Sequence, residues 1–220
     1  MFKSLVLLIF ICLVAFCASA QTNTGFNYNI GLSAFSFSQA PQVNFSQRSI
    51  TEVRRYFPGI ILKISDNQLA YRIGIDYHRN GNFNLKQDDS GSVHGAYTNY
   101  AFKLGFERDL SMTAFKPYYG ADAGFVHTDF LGSRARIPSA SSMLKTEKNG
   151  LLLSPFVGIK YTIVPRLYIS VEAAISFIYA YNRVETVTDN INYVSHFNKG
   201  EFLLSPVSLV GLHYNFGSAN

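Results

Sequence analysis

The sequence predicts an all-β fold, an eight-stranded antiparallel up-and-down transmembrane β-barrel, from three observations. Its strands alternate with a period of two, long polar segments alternate with short turns, and glycines keep to one face. The alternation is plainest in Leu69–His78, LAYRIGIDYH. Leu69, Tyr71, Ile73, Ile75 and Tyr77 form one face, and Ala70, Arg72, Gly74, Asp76 and His78 form the other. A helix would mix the two sets, so the segment is a strand whose faces meet different surroundings. Either the apolar face looks into a soluble core, or it looks at lipid while the polar face lines a lumen.

Taken in order, Lys3 precedes an apolar run from Leu5 to Phe16, and Ala18-Ser19-Ala20 supplies small residues for cleavage. Residues 1–20 read as a signal peptide and 21–220 as one mature domain. The run is shorter than the roughly 20 residues a spanning helix takes. No later segment is long and apolar enough either, so the mature part can cross a membrane only as a barrel. Both cysteines, Cys12 and Cys17, fall in the signal, which excludes a disulfide framework. Lys and Arg (19) outnumber Asp and Glu (14) without any basic run, so nucleic-acid binding has no support.

Eight strands follow from alternation and turn residues: Phe26–Ser38, Phe57–Ser65, Leu69–His78, Ala96–Glu107, Lys116–Thr128, Leu151–Ile163, Leu167–Tyr181 and Phe202–Phe216. Long polar segments, Gln39–Tyr56, Arg79–Gly95, Asp129–Gly150 and Asn182–Glu201, follow every odd strand. Shorter connections, Asp66-Asn67, Asp109–Phe115 and Val164-Pro165-Arg166, follow the even ones. That arrangement puts four extracellular loops at one end and periplasmic turns at the other.

Gly31, Gly59, Gly74, Gly105, Gly120, Gly124, Gly158 and Gly211 all share parity with the polar face, where they make room for long neighbours in a narrow lumen. With no tryptophan, the interfacial girdles must be tyrosine and phenylalanine. Phe26, Tyr28, Tyr71, Tyr119, Tyr161, Tyr214 and Phe216 suit the periplasmic rim, and Tyr77, Phe125, Phe177 and Tyr179 suit the outer rim. Pro58, Pro117, Pro155 and Pro206 lie at or close to strand starts.

The same parity sends Lys63, Arg72, Lys103 and Lys160 into the lumen with Asp76, Glu107, Asp122 and Glu172, four charges of each sign. A selective pore would carry an excess of one sign, so the balance points to a plugged, non-conducting lumen. Strands two and eight carry apolar residues on both faces, where a one-residue slip would exchange them. The five histidines are scattered and no H-E-x-x-H pair exists, so neither a metal nor a cofactor is expected. His127 and Asp129 near the outer rim lack a serine to complete a hydrolytic set, and Asp88-Asp89 lacks the spacing of a calcium loop. Arg48, Arg54 and Arg55 in the first long segment, with Arg134, Arg136, Lys145 and Lys148 in the third, are candidates for contact with lipopolysaccharide phosphates or another anionic surface.

Two stretches, KPYYGADAGFVHTD at Lys116–Asp129 and the final strand ending Leu212-His213-Tyr214-Asn215-Phe216, resemble the small OmpA- and OmpX-like outer-membrane β-barrels, in particular the barrels common in Bacteroidota. The resemblance implies that Val210, Leu212, Tyr214 and Phe216 form the signal read by the barrel-insertion machinery. The tail Gly217–Asn220 departs from members that end on the aromatic. No single activity is shared across that family. The function expected is therefore a non-enzymatic barrel of the bacterial outer membrane, in contact with its lipid and lipopolysaccharide and serving a structural role or meeting an extracellular partner through its loops. A narrow channel or transport-associated barrel is the second reading. A soluble lipocalin-like carrier of an apolar ligand is the third, and it requires the apolar face to turn inward.

Overall fold

A computed structural model of the chain describes residues 27–39, 52–87, 91–111, 113–135, 142–188 and 191–216. The residues expected to form the signal peptide, together with Phe26, Arg48, Arg136, Asp88-Asp89 and the tail from 217, lie outside the described residues. Eight strands follow one another: β1 (Asn27–Gln39), β2 (Glu52–Asp66), β3 (Leu69–Gln87), β4 (Gly91–Asp109), β5 (Phe115–Ala135), β6 (Ser142–Val164), β7 (Leu167–Thr188) and β8 (Ile191–Asn215). Each pairs antiparallel with the next, and β8 returns to β1, so the sheet is a closed up-and-down barrel.

Burial is inverted relative to a water-soluble domain. Ile75 is 57 % exposed and Leu151 66 %, whereas Lys63 is 2 % exposed and Glu107 1 %. Ile60, Leu62 and Ile64 on β2, Phe102, Leu104 and Phe106 on β4, and Phe202 and Leu204 on β8 continue the apolar exterior. An aqueous surface of this kind on every side would aggregate, whereas hydrocarbon is its natural solvent. The apolar face is the outer one, the opposite of what an apolar-ligand carrier requires. The expected girdle residues Tyr28, Tyr71, Tyr119, Tyr161, Tyr214 and Phe216, and at the other rim Tyr77, Phe125, Phe177 and Tyr179, all face outward. Tyr77 stacks obliquely on Tyr100 across β3 and β4, with ring centres 5.1 Å apart.

At one end the connections are short. Asp66 pairs with Leu69, so the β2–β3 turn is Asn67-Gln68 rather than Asp66-Asn67. Asn67 takes φ 50°, a left-handed conformation that asparagine tolerates because its side chain can bond locally. At the other end the strands run further than alternation indicates. β1 and β2 have 13 and 15 residues, but β3 to β8 have 19 to 25. Most of Arg79–Gly95, Asp129–Gly150 and Asn182–Glu201 is therefore strand, not loop. Arg54, Arg55, Arg134, Lys145 and Lys148 accordingly sit on β2, β5 and β6.

The β2–β3 ladder covers only Gly59–Asp66, and the β1–β8 ladder reaches no further along β8 than Leu209. Beyond those points β3 to β8 rise as a curled six-stranded sheet. Its inner face carries Val93, Tyr97, Phe130, Leu144 and Val184 as one buried apolar cluster with Phe197 against it. A bulge sets off this upper part of β8. Glu172 pairs with Leu209 and Ala174 with Ser205, so Pro206-Val207-Ser208 stand opposite one residue of β7.

Candidate functional site: the luminal ion-pair layer

The lumen of an eight-stranded barrel is only wide enough for side chains, and here glycine decides which ones fit. Reading across the sheet at one level, Arg72 pairs with Gly105 and Gly105 with Asp122. A methyl on Gly105 would strike the Asp122 carboxylate, so the bare backbone lets Arg72 Nε reach Asp122 Oδ1 at 3.1 Å. The device repeats one strand pair on. Tyr118 pairs with Gly158 and Gly158 with Glu172, and the Tyr118 hydroxyl donates to Glu172 Oε1 at 2.9 Å across the gap. A Cβ on Gly158 would lie 2.6 Å from the Tyr118 ring.

Arg72 is the hub. Its guanidinium grips Glu172 with two parallel bonds of 2.7 and 3.1 Å, and Nη1 also lies 3.3 Å from Glu107 Oε2. Planar five-donor geometry is what allows one cation to serve three carboxylates. Glu107 in turn takes Lys63 Nζ at 2.9 Å and Lys160 Nζ at 2.7 Å, and Lys160 reaches Asp109 at 2.5 Å. Aromatic rings fill the space between charges. The guanidinium carbon of Arg72 stands 4.3 Å over the Phe156 ring, and Lys160 Nζ 4.6 Å over Tyr118, both within cation–π range. Lys103 and Asp76 form a separate pair of 2.8 Å nearer the outer end.

The eight luminal charges read from parity thus form one six-member network, Lys63, Arg72, Glu107, Asp122, Lys160 and Glu172, plus the Lys103–Asp76 pair. The luminal charges expected from the sequence do not include Asp109, and Tyr118, Phe156, Tyr168 and His213 are not among its candidate site residues. His213 is fully buried between the first and last strands. Its ring stacks on Tyr168 at 4.6 Å, lies within 2.8 Å of Ser170 Oγ, and donates from Nδ1 to Asn29 Oδ1 at 3.3 Å. It fills the space over Gly31, to which it is directly paired, and Gly211. The alternation that marks Gly31 and Gly211 as luminal marks His213 too. Tyr118 and Tyr168 were obscured because tyrosines in such a chain are first sought on the exterior.

Cavities of about 80 Å³ and about 200 Å³ flank the layer. Arg72, Asp76, Lys103 and Asp122 line the smaller, on the outer side, and Lys63, Glu107, Lys160 and Tyr168 line the larger, at the short-turn mouth.

Elsewhere, Leu212, Tyr214 and Phe216 point outward from the last strand and Val210 is half-buried. On the exterior of β5, beyond Phe125, His127 Nδ1 lies 2.7 Å from Asn149 Oδ1 and Nε2 lies 2.8 Å from Asp129 Oδ2. Both ring nitrogens are thereby engaged by oxygen acceptors. Partial burial works against a charge on this ring, but the bonds to Asn149 and Asp129 outweigh it and hold the His127 pKa above the ordinary histidine value. Among the described residues no three His, Cys, Asp or Glu side chains are grouped to hold a metal.

No family model matches the sequence, and no curated protein matches it. Solved structures do match. A major outer membrane protein from Thermus thermophilus superimposes with a TM-score of 0.50 at 13 % identity, covering 87 % of this chain and 98 % of that one. OprG from Pseudomonas aeruginosa (TM-score 0.46, 14 % identity, 90 % and 99 % covered) and Ail of Yersinia pestis (0.38, 12 %, 87 % and 97 %) are more distant in shape. At such identities likeness speaks for architecture alone. The chain has the fold of a small eight-stranded outer-membrane β-barrel protein.

Proposed function

We propose that this is a non-enzymatic barrel of the bacterial outer membrane, exported by residues 1–20, whose lumen is plugged by the ion-pair layer and whose outer sheet and loops serve a structural or surface-interaction role. One observation carries the reading: Arg72 ties Glu107, Asp122 and Glu172 together across the lumen, with Lys63 and Lys160 closing on Glu107. No component of that layer is free to swing aside without leaving a buried charge unpaired. The apolar exterior supports the membrane assignment, and the outward Leu212, Tyr214 and Phe216 suit recognition by insertion machinery. Arg54, Arg55 and Arg134, which lie on the outer ends of β2 and β5, and with them Arg48 and Arg136 of the same sequence segments, suit contact with lipopolysaccharide phosphates. Planar-bilayer recording tests the plug. Wild-type protein should show no steady conductance, and Arg72→Ala or Glu172→Ala should open one. Large wild-type conductance would instead establish the narrow-channel reading, which the cavities on either side of the layer favour. Outer-membrane fractionation with heat-modifiable migration in detergent gels tests the location, and a detergent-free soluble monomer would refute it.

A further inference from the structure

The luminal charges balance as a whole but not cavity by cavity. The outer cavity is lined by Arg72 and Lys103 against Asp76, Asp122 and Glu172, one negative charge in excess. The larger cavity, at the short-turn mouth, is lined by Lys63, Lys116 and Lys160 against Glu107 and Asp109, one positive charge in excess. The excess has an address. Lys116 on β5 pairs directly across from Lys160 on β6, and like charges set opposite each other destabilise a ladder. Lys160 is answered by Glu107 and Asp109. Among the described residues no carboxylate lies within ion-pair reach of Lys116.

We infer that this mouth binds a small oxyanion, a carboxylate or a phosphate group, with Lys116 as its counter-charge. Side-chain amides of Asn27, Asn67 and Gln68 line the same cavity and supply neutral donors of the kind that orient such a group. The rim is also held in shape. Asp109 N–H donates to Gln68 O at 2.8 Å, Thr162 N–H to Ala114 O at 2.9 Å and Asn215 N–H to Arg166 O at 2.8 Å, so each turn of the mouth is tied to a neighbouring strand or connection. A site that is already ordered does not have to be ordered by its ligand. Parity turns Lys116 into the lumen, which separates it from lipid headgroups around the barrel. The inference needs only the barrel geometry, whether or not the layer above conducts; the orientation proposed above makes the mouth periplasmic.

The test uses the full folded chain in detergent micelles, with amine acylation of each lysine followed by mass spectrometry. Inorganic phosphate and acetate are added separately, against chloride at matched ionic strength. At ten times the dissociation constant, acylation of Lys116 should slow by about tenfold, since only the unliganded fraction reacts, while Lys145 at the outer end is unaffected. Protection by phosphate alone assigns a phosphate-bearing ligand, and protection by acetate alone a carboxylate. A second measurement follows thermal unfolding, where the protecting anion should stabilise wild type and Lys103→Gln but not Lys116→Gln. Equal protection by chloride, no protection by either anion, or undiminished stabilisation of Lys116→Gln would overturn the site.

Discussion

The lower half of this molecule closes all eight strands and the upper half continues six of them, and the two fill their interiors differently. At the level of the apolar belt the lumen holds ion pairs around Arg72, and above it the curled sheet holds Val93, Tyr97, Phe130, Leu144 and Val184. The exterior changes in step. It is uniformly apolar around the charged layer, whereas on the outside of the upper part Asn149, Asp129 and Arg183 are interspersed with Leu131, Met143 and Tyr181. Each half therefore satisfies the same rule, that one face of a strand differs from the other, with the sign set by what lies outside. Hydrocarbon outside leaves the interior to polar groups, and water outside lets an apolar cluster form within.

The largest effect expected from breaking this contrast is in the lower half. Arg72→Ala strips the shared cation from three buried carboxylates and should cost roughly 3 to 5 kcal/mol. Denaturant titration in detergent would register the loss, and conductance should appear in the same protein. Phe130→Ala in the upper half should cost roughly 3 kcal/mol, at the low end for truncating a buried aromatic. Its signature differs, because the six-stranded extension should become protease-sensitive while the heat-modifiable barrel band persists. If both substitutions melt the whole molecule together, the two halves are one cooperative unit and the comparison fails.

A finer contrast separates glycines within the lumen. Gly158→Ala brings a methyl against the Tyr118 ring and the Val171 carbonyl and should cost about 1 to 3 kcal/mol. Gly74→Ala meets only Lys103 Cβ, at 3.7 Å, and should leave the unfolding midpoint nearly unchanged. The smallest effect is electrostatic and lies on the exterior of the upper half. Because the folded His127 pKa is raised, its bonds to Asn149 and Asp129 stabilise fully below the unfolded value, about 6.5, and the contribution is lost as pH rises through the folded value. Amide exchange near Asn149 should accelerate slightly over that window in wild type and lose this pH dependence in His127→Gln.

How much was legible follows the same division. In the belt, Ile73 and Ile75 flank Gly74 and are themselves flanked by Arg72 and Asp76, so parity alone assigns inside and outside. Even strands two and eight, apolar on both faces, kept the expected register: Lys63 is inside although Ile61 is inside with it. Above the belt the exterior is no longer uniformly apolar. In Asn182–Glu201, Val184 points in and Val194 out among polar residues on both faces, and such a segment reads as loop although it is strand. Asp109 was hidden for a related reason. It ends its strand beside a turn, where a charged residue ordinarily meets water, and only the third dimension brings Lys160 to it.

The glycines beside His213 reach beyond packing. The imidazole lies where the first strand meets the last, over Gly31 and Gly211 and against Tyr168. That socket does not exist until both ends of the chain have arrived, so it forms only on closure of the ring. Were the seam to close one residue out of step, His213 would swing toward lipid, and Leu212 or Tyr214 would be turned into the charged interior. The histidine and its glycines thus act as a key and lock at the final joint, selecting a single alignment of two edges that, by backbone hydrogen bonding alone, could zip in several.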